Sequence, residues 1–394
     1  MSDALVRGQP RNTILLVTRN LPPLRGGMER LNRHIAIELQ VDFQICVVGP
    51  EGCRVALPDG IKVHEAPARP LWRFLPQAMI QSLRLARQFK PRVVLAGSGL
   101  TAPIAVLAAW LAGGRSALYA HGLDLAVRHR LYRALWLPFL RRCDLCIVNS
   151  HHTKGLAVAA GIKPERITII HPGVSLPEVG RSSSAEEFRE RYDLSDREIL
   201  LSVGRLTPRK GLREFVREAL PEIVRRHPNA VLLVIGDEAP DALNGAGTGA
   251  AIKVQTLARD LGLEQHLLMV GACSDATLTA AYAAADVCVF PLRQIPGDVE
   301  GFGMVAIEAA AHGLATVAFD VGGVADAVAD GRSGWLVPAG DYTTMVERIG
   351  RVLLTRRSVQ TRMQARAFAE AFDWTHFGST LRRNIRQLIA GEAT

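Results

Sequence analysis

The sequence predicts an α/β protein of two Rossmann-like, doubly wound halves that face a central cleft. Three observations lead to this fold class. Short apolar runs alternate with amphipathic stretches, which is typical of buried parallel strands linked by helices. This alternation breaks once, in a polar segment between Gly173 and Asp193, and then resumes. The chain has 394 residues, enough for two domains of about 150–200 residues each.

The first half contains six apolar runs that we interpret as strands. They are Thr13–Thr18, Phe43–Val48, Arg92–Ala96, Ala117–Tyr119, Leu145–Val148 and Thr168–Ile170. Helical periodicity separates most of them, as in Met28–Leu39, Ala78–Phe89 and Val127–Leu140. The apolar run Leu100–Ala112 is too short for a membrane span and predicts a buried helix. We expect residues 1–173 to form the first domain.

The second half repeats the pattern after a polar segment, 174–196, that suits a flexible linker. Its expected strands are Glu198–Val203, Val231–Ile235, Leu267–Val270, Val287–Phe290, Thr316–Phe319 and Trp335–Val337. A helix is expected over Leu212–Arg225. Residues 197–374 should form the second domain, and a last helix within 375–394 should pack back on the first.

Composition and charge limit the classes of function. Hydrophobic residues make up 48% of the chain, which indicates a globular rather than a disordered protein. The formal net charge of +9 favours an anionic partner, namely nucleic acid, an anionic membrane surface or a phosphorylated substrate. No apolar run has the ~20 residues of a membrane span. Because Met1–Arg11 also lacks the apolar core of a secretory signal, we expect a cytoplasmic protein.

The six cysteines are expected to be reduced thiols, as is usual in the cytosol. Cys143 and Cys146 have CxxC spacing, but a zinc site would need a second pair of ligands, and none occurs at a suitable spacing. We interpret both as small core residues.

Two cations follow the first strand of the second half. Gly204 and Arg205 come directly after that strand, and Lys210 and Gly211 precede the next helix. Arginine can bind phosphate bidentately, lysine supplies a point charge, and a helix start adds backbone donors. This arrangement predicts a diphosphate site, although a solvated basic loop remains the alternative.

Two carboxylates, Glu300 and Glu308, flank a glycine-containing helix start. Gly301 and Gly303 allow close approach of the backbone to a ligand, and the N–H groups at the helix start suit a phosphate. Glu308, deeper in the helix, can accept hydrogen bonds from vicinal ribose hydroxyls, and Glu300 can accept them from a group on the distal phosphate. The pattern therefore fits a nucleotide-sugar.

The segment Glu300–Glu308 resembles the EX7E motif of retaining GT-B enzymes of glycosyltransferase family 4. Other similar pieces are Gly204-Arg205 with Lys210-Gly211, Gly236-Asp237, Val321–Asp326, and Gly331 with Gly334–Pro338. The family more often has Pro and Glu where this chain has Ala325 and Asp326, a mild departure at a helix start. The resemblance covers most of the chain and is strongest from Ser202 to Asp341.

The resemblance implies a retaining glycosyltransferase that moves a sugar from a nucleotide-diphosphate-sugar to an acceptor hydroxyl. It implies that the donor diphosphate is bound by Gly26, Gly27, Arg205, Lys210, Gly303, Met304 and Val305. It implies that the sugar is bound by His121, Glu300, Gly301, Phe302 and Gly303. The ribose and base would be bound by Glu308 and Val270. His121 and Glu300 would be the catalytic pair. For His121 a solvated loop histidine is the alternative, and for Gly26 and Gly27 a plain turn into a helix.

No residue is an evident nucleophile. Double displacement would need two carboxylates about 5 Å apart, whereas Glu300 and Glu308 have binding roles in the family. The resemblance implies same-face attack, in which the leaving diphosphate takes the proton of the acceptor. Neither a cofactor nor a metal is expected, because Arg205, Lys210 and the helix start neutralise the diphosphate. The lack of an obvious DxD motif agrees with this.

The basic residues cluster in the first half. Arg69–Arg92 contains no Asp or Glu and includes Trp72, and the arginines of Arg115–Arg142 are opposed only by Asp124. Such stretches are typical of surfaces that bind anionic lipid. We therefore expect a peripheral enzyme on the inner face of the cytoplasmic membrane, acting on a lipid-linked or lipopolysaccharide-type acceptor. A solvated basic face is the alternative.

Three other functions fit less well. A sugar-nucleotide epimerase of the same fold lacks support, because the context of Glu300 and Glu308 matches transferases better. Nucleic-acid binding is suggested by charge alone, without a recognised module, and we expect no nucleic-acid partner. A nicotinamide dehydrogenase is disfavoured because neither Gly245–Gly249 nor the segment after the first strand has GxGxxG spacing.

Overall fold

The computed structural model describes residues 12–24, 26–177, 182–238, 249–356 and 358–391. The chain forms two compact units, Met1–Gly173 with Trp374–Thr394, and Val174–Asp373. The segment Met1–Arg11 and most of the glycine-rich segment Gly245–Gly249 lie outside the described residues.

The described part of the first unit contains a seven-stranded parallel sheet. Its strands are β1 (Thr13–Val17), β2 (Gln44–Pro50), β3 (Lys62–Ala66), β4 (Val93–Ala96), β5 (Arg115–Ala120), β6 (Leu145–Val148) and β7 (Ile167–Ile169). Their spatial order is β3-β2-β1-β4-β5-β6-β7, so the winding reverses between β1 and β4. This is the order of a Rossmann-type sheet, in which ligands bind at the carboxyl ends of the strands near the reversal.

Strand β3 is absent from the sequence-based prediction. Three of its five residues, Lys62, His64 and Glu65, are polar, so the strand lacks the apolar run that marks a buried strand. It lies at the edge of the sheet, where backbone pairing with β2 holds it in place.

The first unit has seven helices before the connection to the second, within the described residues. They are α1 (Gly27–Gln40), α2 (Leu71–Phe89), α3 (Ala102–Ala112), α4 (Leu123–Ala126), α5 (Arg130–Leu135), α6 (Leu137–Arg142) and α7 (His151–Ala159). The prediction of one helix over Val127–Leu140 is wrong, because α5 ends at Leu135 and α6 begins afresh with Pro138 at its start. Proline suits the first turn of a helix but not its interior.

The second unit contains a six-stranded parallel sheet in the described residues. Its strands are β8 (Glu198–Val203), β9 (Ala230–Ile235), β10 (Leu267–Gly271), β11 (Val287–Phe290), β12 (Thr316–Phe319) and β13 (Gly334–Val337). The order β10-β9-β8-β11-β12-β13 again reverses in the middle, between β8 and β11. Apolar side chains bury both faces of this sheet, as expected for a parallel sheet covered by helices.

The helices of the second unit begin with one in the segment expected to be a linker. They are α8 (Ser182–Arg191), α9 (Leu212–Glu218), α10 (Leu220–Arg226), α11 (Ala250–Asp260), α12 (Asp275–Ala284), α13 (Met304–Ala311), α14 (Val324–Ala327), α15 (Tyr342–Thr355) and α16 (Val359–Glu370). The helix expected over Leu212–Arg225 is divided at Ala219, because Pro221 starts a new helix at that point.

The expectation of a flexible linker over 174–196 is wrong for residues 182–191. Helix α8 packs on α12, and Phe188 is buried in the core of the second unit. Arg189 also donates hydrogen bonds to the carbonyl of Ala284 and to Asp286. One buried aromatic and one arginine thus anchor a segment whose polar composition indicates a linker.

The last helix, α17 (Trp374–Ala390), belongs to the first unit and packs against α1. Its apolar face, including Phe377, Leu381 and Ile385, joins the core on that side of the sheet. Trp374 stacks on His34 of α1 with ring centroids 3.7 Å apart, and Arg382 pairs with Glu38 at 2.8 Å.

Two further expectations concern membranes and thiols. Among the described residues, none of the helices combines the length and apolarity needed to cross a bilayer.

Cys143 and Cys146 are fully buried, and burial raises the pKa of the Cys143 thiol to about 12. They pack as core residues, as predicted.

Candidate functional site

The loops after β8 and β11 meet at the point where the winding of the second sheet reverses. Strand β8 pairs directly with β11, and both run parallel, so their carboxyl ends share one edge. The loop after β8 carries Arg205 and Lys210, and the loop after β11 carries Glu300. The topology therefore brings together residues that are about 90 positions apart in the sequence.

Lys210 and Glu300 form a largely buried ion pair. The Lys210 Nζ donates to Glu300 Oε2 over 2.9 Å, and the two side chains are 17% and 15% exposed. The ammonium also lies 4.5 Å from the centroid of the Phe290 ring at the end of β11. This cation–π contact with Phe290 further stabilises the charged ammonium of Lys210.

Arg209 is a second cation on the same carboxylate, and sequence reasoning missed it. Its Nη1 donates to Glu300 Oε2, and its Nε donates to Asp298 Oδ1 over 3.0 Å. The arginine is buried, with 9% of its surface exposed. The sequence does contain a sign of this cluster: two adjacent cations, Arg209 and Lys210, and two acids in the loop after β11, Asp298 and Glu300.

The electrostatic balance keeps Glu300 ionised. Burial by itself would raise the pKa of its carboxyl, but Lys210 and Arg209 outweigh burial and lower that pKa to about 2. Burial lowers the pKa of Lys210, and Glu300 offsets part of this effect. Because the folded pKa of Glu300 is below the unfolded value of about 4.3, its contribution to stability is present above that pH and is lost as pH falls towards 2.

Gly211 joins the two loops through the backbone. Its φ is +67°, and a Cβ at this position would lie 1.9 Å from the carbonyl oxygen of Pro291, which follows β11. Next to it, the N–H of Arg293 donates to the carbonyl of Arg209 over 2.8 Å. A glycine is therefore needed beside Lys210 for the loops to approach this closely.

The start of α13 supplies backbone donors near Glu300. Gly303 precedes the helix with φ +102° and makes no side-chain capping hydrogen bond, so the first-turn N–H groups, including those of Met304 and Val305, rely on other acceptors. Phe302 is buried against Phe372, with ring centroids 5.9 Å apart. In the role expected of Phe302, binding the donor sugar, only its backbone would contact the ligand.

Glu308 lies about one turn into α13 and is 8% exposed. Its Oε2 accepts a hydrogen bond from the Tyr282 hydroxyl of α12 over 3.0 Å. A carboxylate can accept about four hydrogen bonds, so Tyr282 fills one acceptor position. Tyr282 itself stacks on His312 with ring centroids 4.9 Å apart.

Arg205 and Val270 stand apart from the ion-pair cluster. Arg205 is exposed, and within the described residues its side chain has neither a hydrogen bond nor an ion pair. Its positive charge helps to lower the pKa of Lys210, so the two cations share one electrostatic environment. Val270 lies in the edge strand β10, two strands away from β8.

His121 of the first unit follows β5 and is buried, with 6% of its surface exposed. Its Nε2 lies 2.8 Å from the carbonyl oxygen of Gly97, which follows β4. A carbonyl only accepts, so Nε2 carries the proton in this hydrogen bond. The backbone N–H of His121 donates to Asp124 Oδ2 over 3.1 Å. The alternative of a solvated loop histidine is therefore wrong.

Gly26 and Gly27 stand at the start of α1, at the carboxyl edge of the first sheet. Glu29 in the first turn is buried and accepts a hydrogen bond from Asn20 Nδ2 over 2.9 Å. A Cβ on Gly26 would lie 2.4 Å from Glu29 Oε2, so a side chain there would displace the Glu29 carboxylate.

Two family models together match most of the chain. The one described as Glycosyltransferase Family 4 matches residues 25–177, and the one described as Glycosyl transferases group 1 matches residues 184–370. The chain belongs to glycosyltransferase family 4. This confirms the resemblance, and the protein is a glycosyltransferase enzyme.

Two relatives of this family 4 glycosyltransferase differ in how much of their length matches this chain. The GDP-mannose-dependent alpha-(1-6)-phosphatidylinositol monomannoside mannosyltransferase of Mycolicibacterium smegmatis is 29% identical over 95% of this chain and 100% of its own length. The D-inositol 3-phosphate glycosyltransferase of Mycobacteroides abscessus is 33% identical over 63% of this chain. The chain spans only about half of that relative, 52% of its length.

The fold is shared with solved structures. The structure of Anabaena HepE in complex with UDP-glucose has a TM-score of 0.78 and covers 95% of this chain and 100% of that one, at 19% identity. Sucrose-phosphate synthase from Thermosynechococcus elongatus has a TM-score of 0.76 at 21% identity and covers 97% of this chain and 100% of its own. The expected fold class, GT-B with two Rossmann-like domains, is confirmed.

Proposed function

We propose that this glycosyltransferase moves a sugar from a nucleotide-diphosphate-sugar to an acceptor hydroxyl with retention of the anomeric configuration. One observation carries the proposal. The Glu300 carboxylate is held ionised by Lys210 and Arg209 at the reversal point of a parallel sheet, beside the uncapped start of α13. An anion-binding helix start with cations on one side and a fixed carboxylate on the other suits a diphosphate that carries a sugar.

The donor diphosphate is assigned to the cations and backbone donors at this edge. Arg205 is exposed and able to turn towards phosphate, and its positive charge acts on the same environment as Lys210, whose pKa it helps to lower. The N–H groups at Gly303, Met304 and Val305 add the helix-start contribution. Gly26 and Gly27, at the corresponding edge of the first unit, are assigned to the same diphosphate by the family pattern.

The sugar and the nucleoside are assigned to the two carboxylates. Glu300, His121 and the backbone of Gly301–Gly303 would bind the sugar, and Glu308 would accept hydrogen bonds from the ribose. Two observations support this role: Glu308 is a buried carboxylate on α13, and Tyr282 occupies one of its acceptor positions. Val270 is assigned to the base.

The reaction does not use Glu300 as a nucleophile in this proposal. Its Oε2 is bound by two cations, which lowers its nucleophilicity and suits it to holding hydroxyl groups. The leaving diphosphate takes the proton of the acceptor while the acceptor oxygen attacks from the same face. Arg205, Lys210 and the start of α13 stabilise the negative charge that develops on the diphosphate, and no metal is needed.

A donor screen tests the proposal. We expect at least one of GDP-mannose, UDP-glucose and ADP-glucose to raise the melting temperature and to be turned over in the presence of EDTA, with an α-linked product from an α-donor. GDP-mannose is the first candidate because a relative matched over its whole length is named as dependent on it. Absence of both stabilisation and turnover with all three donors would contradict the proposal, and an inverted product would contradict retention.

We propose in addition that the acceptor is lipid-linked and that the first unit binds an anionic membrane surface on the inner face of the cytoplasmic membrane. Helices α2 and α3 pack side by side, and Trp72 on α2 and Trp110 on α3 are 68% and 81% exposed. No Asp or Glu occurs between Ala66 and Leu123. Exposed tryptophans among arginines, without acidic residues, suit an anionic lipid interface.

Liposome co-sedimentation tests the membrane surface. We expect low-salt binding to vesicles that contain phosphatidylglycerol and little binding to phosphatidylcholine alone. The double substitution Arg84→Glu and Arg87→Glu on α2, where both arginines are exposed, should lower binding about tenfold or more, at about 1 kcal/mol per charge removed. The matched control, Arg351→Glu with Arg362→Glu in the second unit, should change it little. Equal binding to both kinds of vesicle would contradict the idea.

A further inference from the structure

Glu300 has two cations on one carboxylate oxygen, and the proposed function requires one of them elsewhere. Arg209 and Lys210 both donate to Glu300 Oε2. Lys210 is also assigned to the donor diphosphate, which would draw its ammonium away from Glu300. A buried carboxylate that lost its only cation would be strongly destabilised, so the second cation has a use.

The two cations are anchored very differently. Arg209 is held by Asp298 through Nε, by Glu300 through Nη1, and by the backbone through the N–H of Arg293. The contacts of Lys210 are Glu300 and the face of Phe290. A guanidinium is a planar fork with fixed donor directions, whereas an ammonium on a flexible stem can exchange partners at little cost. Arg209 is therefore the fixed partner and Lys210 the exchangeable one.

We propose that Arg209 is a positioning residue, which keeps Glu300 ionised and in place while Lys210 moves from Glu300 to the donor diphosphate. The inference rests on the proposed function. Asp298 holds the Arg209 guanidinium through Nε. Arg209 therefore stays on the carboxylate of Glu300 whether or not a donor is present. Arg209 also offsets the repulsion between Glu300 and the negative diphosphate that would lie near it.

A double-mutant cycle on nucleotide binding separates this role from direct contact with the donor. Binding of GDP, and of UDP as a second probe, is measured by calorimetry at pH 7 for wild type, Arg209→Gln, Glu300→Gln and the double variant. In the wild-type background, loss of Arg209 leaves Lys210 as the only cation on Glu300, and we expect affinity to fall about tenfold. In the Glu300→Gln background the same change should alter affinity less than about twofold.

The pH profile gives a readout that a purely structural role would not move. In the Arg209→Gln variant the acidic limb of kcat/KM should shift to higher pH by about 1 to 3 pH units relative to wild type, because a cation beside the carboxylate is lost. Arg209→Lys keeps the positive charge but not the planar guanidinium. The acidic limb of this variant should therefore lie between those of wild type and Arg209→Gln. Asp298→Asn should change both readouts in the same direction, by less. Arg217→Gln, at an exposed ion pair of the same unit, should leave both unchanged.

Each outcome bears on the inference. Equal weakening of GDP binding in both backgrounds would show that Arg209 contacts the nucleotide directly and would overturn the positioning role. A lower melting temperature with unchanged affinity and pH profile would also overturn it. If Arg209→Gln does not fold, Arg209→Lys and Asp298→Asn decide the same question. Failure of the wild-type protein to bind either diphosphate would instead refute the proposed function, and the inference with it.

Discussion

Glu300→Gln is expected to lower kcat/KM for sugar transfer by about a hundredfold or more, the size of effect seen when one preorganised polar group is removed from an active site. The amide has the same shape but no charge, and it leaves Arg209 and Lys210 without the carboxylate oxygen to which both donate. It also replaces one acceptor of sugar hydroxyls by a donor. Steady-state kinetics with the donor identified by the screen would measure the loss.

The same substitution should also destabilise the second unit. Two largely buried cations lose their shared partner, which costs about 3 kcal/mol when a buried ion pair is broken from one side. Urea unfolding at pH 7 would measure this. The matched control is Glu264→Gln, which breaks an exposed pair with Arg259 and should cost less than about 1 kcal/mol with unchanged turnover. Wild-type turnover in Glu300→Gln would refute its assignment.

Gly211→Ala should cost about 3 kcal/mol or more of unfolding free energy and abolish most of the activity. The left-handed φ of +67° accounts for about 1 kcal/mol of this. The rest comes from the clash with the Pro291 carbonyl, 1.9 Å from the new Cβ, which forces the loops that carry Lys210 and Glu300 apart. Urea unfolding together with donor binding would measure both effects.

A second glycine provides the control for Gly211. Gly262 has a φ of +70° but no atom within 4 Å of a Cβ, so Gly262→Ala has the backbone cost without the clash. We expect it to lose about 1 kcal/mol and to keep its activity. Equal losses in the two variants would mean that the close approach of the loops contributes nothing.

Local patterns were sufficient for most of the regular structure. Strands Glu198–Val203, Val287–Phe290 and Thr316–Phe319 were predicted with their observed bounds, because buried parallel strands are continuous apolar runs. Edge strand β3 and helix α8 were missed because both are mostly polar, and pairing with β2 or packing on α12 stabilises them instead. These are tertiary contacts that no window of sequence contains.

The candidate site divides in the same way. Lys210, Glu300 and Glu308 were found from residue types placed at strand ends and a helix start, and their roles remain proposals. His121 was singled out, but only the structure shows it buried on the Gly97 carbonyl. Arg209 was passed over because, read in sequence, it is one more basic residue in a basic loop. Its pairing with Asp298 and Glu300 spans about 90 residues.

The sequence by itself determined the family, the two-domain α/β fold and the segment Glu300–Glu308, because periodicity and motif spacing are local properties of the chain. Only the tertiary structure decided which charges neutralise one another. The reversal of strand order puts the ends of β8 and β11 side by side, and Gly211 lets their loops touch. Burial then makes the partners of Glu300 matter, since a carboxylate in water needs no particular cation and a buried one does.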